Sequence, residues 1–99
     1  MTFDDLKFEK RPFGGIIATH VFDNGARLSV VAGEVAYSNP REDFDTPEEY
    51  QSFEVAIMNS SREFITRDFF PEEHDDVIGW QDIDEINEII QIVEKGKLT

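Results

Sequence analysis

The densest run of side chains able to hold a metal is Glu72-Glu73-His74-Asp75-Asp76, four carboxylates around one of the chain's two histidines. Contiguous side chains diverge, and the run lacks the alternation and the glycine of a calcium-binding loop. It reads as a solvated acidic loop, with no metal expected at His74. His20 and Ser29 would offer a base and a hydroxyl on neighbouring strands. No third carboxylate falls in register to orient the imidazole, so an ordinary cross-strand contact is the better reading. Gly14-Gly15 precedes a strand without the lysine and helix of a phosphate loop, which leaves a plain turn. Lys7, Lys10, Arg11 and Arg27 are the only cations near one another in sequence or inferred topology, and so the one place for an anionic ligand. No spaced catalytic motif and no cofactor signature is present, and the chain reads as non-enzymatic.

The net charge of −13 is unevenly spread. Glu42 to Glu94 holds seventeen acids against Arg62 and Arg67, a net of −15, while the rest of the chain carries +2. Such a field repels nucleic acid and anionic lipid and steers toward basic protein surfaces. With 99 residues, no cysteine and twelve aromatics, the sequence predicts one domain, residues 1–99, that folds without disulfides. MTFDDLKFEK has no signal-peptide core and no apolar run reaches membrane-span length, so a soluble, cytoplasmic protein is expected.

The elements that must position these residues follow from periodicity. Ile16 to Gly33 reads as a hairpin about Asn24-Gly25, with Val21 facing Leu28, Thr19 facing Val30 and Ile17 facing Ala32 on the apolar side, and Phe22 on the reverse with His20 and Ser29. Ser52 to Thr66 reads as a second hairpin about Ser60-Ser61, with Ile57 facing Phe64 and Val55 facing Thr66. Thr46-Pro47-Glu48-Glu49 is a capping box for a single helical turn inside the irregular Asn39 to Tyr50 loop. Val77, Ile78 and Trp80 are expected to return the chain to the core. A helix from Asp82 to Lys95 carries every boundary signal: an Asp82/Glu85 capping box, early acids, a late lysine, and Gly96 after it. Ile83, Ile86, Ile89, Ile90 and Val93 share one arc, with Asp84, Glu85 and Glu88 opposite. The fold class is α+β: an antiparallel sheet of four to five strands built from two hairpins, with the C-terminal amphipathic helix on one face.

FDNGARLSVV, YQSFEVAIMN, DDVIGW and the closing helix together resemble a family of small acidic phage and mobile-element proteins, over roughly Gly15 to Leu98. The resemblance implies no catalytic residue; it implies a setting in which inhibitors of host defence are frequent. The chain departs from the family pattern by its Asn39 to Tyr50 insertion and by Trp80 in place of tyrosine. The expected function is therefore a non-enzymatic inhibitor, of the anti-CRISPR or anti-restriction kind, binding the basic nucleic-acid-binding surface of a host protein. The partner surface is expected at Glu72, Glu73, Asp75, Asp76, Asp84, Glu85 and Glu88, with Ile92, Phe44, Tyr50 and Met58 as apolar anchors. A homodimer through a sheet edge stays open. The alternatives are a small-ligand or nucleotide-signal binder at the cationic cluster and, less favoured, a carboxylate or metal hydrolase.

Overall fold

The computed structural model describes residues 1–96; residues 97–99, including the end of the family resemblance at Leu98, lie outside the described residues. Five antiparallel strands form one sheet in sequential order: β1 (Glu9–Lys10), β2 (Ile16–Val21), β3 (Arg27–Ala32), β4 (Phe53–Met58) and β5 (Val77–Gln81). A one-turn helix α1 (Thr66–Phe69) precedes β5, and α2 (Ile83–Lys95) packs across one face. The α+β architecture expected from the two periodicities is present. Phe53, Val55, Ile57, Leu28, Val30, Ile86, Ile90 and Val93 are all buried in the shared core. Among the described residues no helix is long and apolar enough to cross a membrane.

The first hairpin forms, but one residue out of the expected register. Ile17 pairs with Val31, Thr19 with Ser29 and Val21 with Arg27. The loop holds three residues, Asp23, Asn24 and Gly25, closed by the Phe22 N–H donating to the Ala26 carbonyl at 2.8 Å, with Gly25 at φ 92° where glycine meets no Cβ penalty. A shift of one turns the side chains of β2 over relative to those of β3, whose Leu28, Val30 and Ala32 keep the core face. Ile16, Ala18 and Phe22 therefore enter the core, while Thr19 and Val21 face solvent. His20 and Ser29 fall on opposite faces: Ser29 lies across from Thr19, and His20 sits edge-on to Phe22 at 4.8 Å. The longer loop also frees the Asn24 side chain. Its Nδ2 donates to the carbonyls of Val93 (2.8 Å) and Gly96 (2.7 Å), closing the C-terminal end of α2 from the hairpin tip.

The second expected hairpin is replaced. A tight turn closed by the Asn59 N–H donating to the Glu63 carbonyl at 2.9 Å, a Met58–Phe64 bridge and the Ile65 N–H to Ile57 carbonyl bond form before the chain turns into α1, and the return strand goes no further. β4 takes β5 as its partner instead, Val55 against Ile78 and Ala56 against Val77. Phe64, expected in the core, is 51% exposed. Thr66 is the hinge of this exchange. Fully buried, its Oγ1 accepts the Ile57 N–H at 2.9 Å and donates to the Asp76 carbonyl at 2.6 Å, so a side chain completes the ladder where the strand ends.

The Asn39 to Tyr50 loop is ordered by local chemistry. Thr46 and Glu49 close a single 3-10 turn over Pro47–Glu49, the Glu49 carboxylate accepting the Thr46 N–H at 3.2 Å. The Tyr50 hydroxyl accepts the Phe44 N–H at 2.7 Å and donates to the Glu42 carbonyl. At the N-terminus a 3-10 turn over Phe3–Asp5 brings Phe3 onto Phe53 at 5.2 Å, and Asn87 of α2 accepts the Phe3 N–H at 2.7 Å.

Candidate interaction surface at strand β5 and helix α2

The boundaries of α2 are set locally. The Asp82 carboxylate accepts the Glu85 N–H at 2.8 Å, and the Glu85 carboxylate accepts the Asp82 N–H at 3.0 Å. Ile86, Ile89, Ile90 and Val93 are buried against the sheet, but Ile83, placed on the same arc by its spacing, is largely exposed in the first turn. At 100° per residue Glu85, Glu88 and Ile92 lie together along one edge of this buried stripe. Opposite that edge runs the segment after α1, where Pro71 leads into the acidic loop.

Between these two walls lies a cleft of about 260 Å³ lined by Phe70, Ile78, Ile89 and Ile92 with Glu72, Glu73, Glu85 and Glu88 around them. Five of the expected partner residues, Glu72, Glu73, Glu85, Glu88 and Ile92, thus share one site although they are spread over twenty-one positions of sequence. Ile92 continues into a shallower patch with Glu88, Gln91 and Lys95. The other expected residues fall elsewhere. Asp76 is paired with Arg67 at 3.4 Å, and Asp84 projects from the helix outside the cleft. Met58 pairs with Arg27, placing it on the sheet face away from α2. Phe44 is half-buried, edge-on to Tyr50 at 5.6 Å.

Tyr50 is a correction: it is buried, its ring tilted against Phe53 at 6.0 Å, and it holds its loop instead of presenting a contact. Burial raises its pKa above the ordinary tyrosine value, the carboxylates of Asp43, Glu49 and Asp45 adding to the effect against the lowering hydrogen bond from Phe44.

Trp80 is the residue that sequence reasoning placed wrongly and that matters most for the site. In β5 the Phe53–Gln81 and Val55–Ile78 pairs leave Gly79 and Trp80 opposite Glu54 alone, a β-bulge. Trp80 takes a positive φ of 54° in it and swings out of the alternation that would bury it, leaving it 55% exposed. Its backbone N–H donates to the Tyr37 carbonyl at 2.9 Å, and the two rings lie 5.1 Å apart. Gly79 permits this approach, since a Cβ there would stand 2.8 Å from Tyr37 Cβ. A second hollow of about 490 Å³, lined by Tyr37, Trp80, Glu73 and Asp75, adjoins the cleft through Glu73, Ile78 and Gln81. Gly79 in DDVIGW marks a bend, and only the non-local pairing of β5 with β4 places the bulge.

The remaining chemical candidates do not converge. Among the described residues no three of His, Asp and Glu gather as metal ligands, and His74 is exposed. Lys10 sits opposite Ile16 and Arg27 opposite Val21, the two ends of β2, so roughly 17 Å of strand separates them. Lys10 is paired with Asp45 at 3.5 Å and Arg11 lies over the Phe13 ring at 4.3 Å. The sheet edges are blunted: β1 is two residues long, and the bulge in β5 has its Trp80 N–H occupied.

Comparison with family models, with curated proteins and with solved structures gave no match to this chain.

Proposed function

We propose that this chain is a small acidic interaction protein without enzymatic activity, which binds a basic, nucleic-acid-binding surface of another protein. The observation that carries the reading is the ring of Glu72, Glu73, Glu85 and Glu88 about an apolar floor ending in Ile92. Carboxylates placed so stand in for phosphates, speeding encounter and setting orientation, while the apolar floor supplies the desolvated anchor that exposed charges lack. The family resemblance gives this reading its specific form, an inhibitor of the anti-CRISPR or anti-restriction kind acting in a host cytoplasm. The separation of Lys10 from Arg27 disfavours the small-ligand alternative.

The test is capture of a partner from the native host, followed by association kinetics for the wild type and for Glu72→Lys with Glu88→Lys. Both residues are exposed and neither belongs to the α2 capping box. Asp84 and Glu85 are left alone, because negative charge in the first turn supports the helix itself. We expect association slowed about tenfold or more at low salt, with a shallower salt dependence. A wild-type rate for the double variant refutes the reading.

A further inference from the structure

We infer that Tyr37, Trp80, Glu73 and Asp75 form a seat for the guanidinium of an arginine side chain on a protein partner. The inference rests on the proposed function and names the group that its acidic surface recognises.

Three observations point the same way. Trp80 and Tyr37 are exposed, 55% and 42%, and their rings line one hollow at 5.1 Å and 33°. Exposed aromatic faces attract cations through the ring quadrupole, Trp most strongly. Second, Glu73 and Asp75 line the same hollow, and among the described residues neither has a cationic partner within 4.0 Å. A cation entering there meets two uncompensated carboxylates beside the exposed indole of Trp80. Third, the chain already uses this chemistry next door: the Arg41 guanidinium lies over Tyr37, 5.6 Å from its centroid, which leaves the indole of Trp80 as the face for an incoming cation. Arginine fits better than lysine, because a planar, weakly hydrated guanidinium stacks on an indole while its N–H fork reaches a carboxylate. Among the described residues no three metal-ligating side chains gather here, and the negative field disfavours anions.

Trp80 is the only tryptophan in the chain, so its fluorescence reports this hollow alone. The probes are three blocked tripeptides, Gly-X-Gly, with arginine, lysine or citrulline at the centre. Citrulline keeps the planar shape and removes the charge. We expect a saturable fluorescence change with the arginine peptide, several-fold weaker binding of the lysine peptide and none of the citrulline peptide. Glu73→Gln with Asp75→Asn should weaken arginine binding about tenfold. For Trp80→Gly, which accepts the positive φ, calorimetry should find arginine binding lost in a protein that still melts cooperatively.

No response to the arginine peptide, equal binding of lysine or citrulline, or arginine binding that survives Trp80→Gly would each overturn the assignment. Failure here is separable from failure of the proposed function. If Glu72→Lys with Glu88→Lys slows partner association and Trp80→Gly does not, the seat is wrong and the interaction surface stands. If the arginine peptide binds at Trp80 while the charge-reversed protein associates at the wild-type rate, the seat stands and the proposed function is wrong.

Discussion

Replacing Thr66 by valine removes one oxygen from the interior and almost no volume. That oxygen accepts the Ile57 N–H at 2.9 Å and donates to the Asp76 carbonyl at 2.6 Å, in a residue with no solvent exposure. In Thr66→Val the Ile57 N–H faces a methyl group with no water in reach, and an unsatisfied buried donor costs about 1–3 kcal/mol. The Asp76 carbonyl, only partly buried, recovers a solvent partner and adds less. The sum is about 2–3 kcal/mol. Thr66→Ser keeps both bonds and deletes a methyl, which costs about 1 kcal/mol. At roughly 4–8 °C per kcal/mol for a domain of this size, valine should lower Tm by about 10–20 °C and serine by about 4–8 °C. Thermal melts followed by circular dichroism measure both, and amide exchange should show the Ile57 N–H losing protection in the valine variant alone. Should valine prove no worse than serine, the hydroxyl is not what joins β4 to the start of β5, and the account of how the second hairpin is replaced fails.

Asn24→Ala removes two bonds to the last carbonyls of α2 and should cost about 2 kcal/mol, while Asn24→Asp, setting a negative charge against the negative end of the helix dipole, should cost more. Equal stability of the wild type and Asn24→Asp in urea titrations would refute that role. Asp82→Ala should lower stability by about 1 kcal/mol through loss of the α2 cap, measured in the same titrations. Tyr50 gives a pH dependence. Its folded pKa is raised by burial, so its contribution is fully present below the unfolded value of about 10 and is lost as pH rises through the folded value. The stability gap between the wild type and Tyr50→Phe should therefore narrow as pH climbs above about 10, and a constant gap would contradict the assignment.

What was legible in the sequence is what short-range physics decides. The limits of α2 follow from Asp82, Glu85 and a 3.6-residue apolar period, all within a few residues of the groups they satisfy. The turn at Pro47 is local in the same sense, and the bend at Asn24-Gly25 could be located for the same reason. The acidic bias of Glu42 to Glu94 is composition, independent of fold.

The tertiary structure decided the choices between partners that local pattern leaves nearly equal. In β3 every residue from Leu28 to Ala32 is buried, so alternation could not fix the hairpin register. Burial of Phe22 against the core and the reach of Asn24 to α2 go with the register that forms, and both depend on a helix about seventy residues away in sequence. β4 could pair with Phe64 nearby or Ile78 farther on. The distant strand pairs because Thr66 completes the ladder from within the interior while Ile78 enters the same core as Val55. That pairing carries the bulge at Gly79 and Trp80, which turns Trp80 from a core residue into an exposed one, beside carboxylates the sequence could place on a loop but not around a cleft. Side chains meet across strands and helices only once the backbone has chosen its partners, so the charge of this surface was written in the sequence and its shape was not.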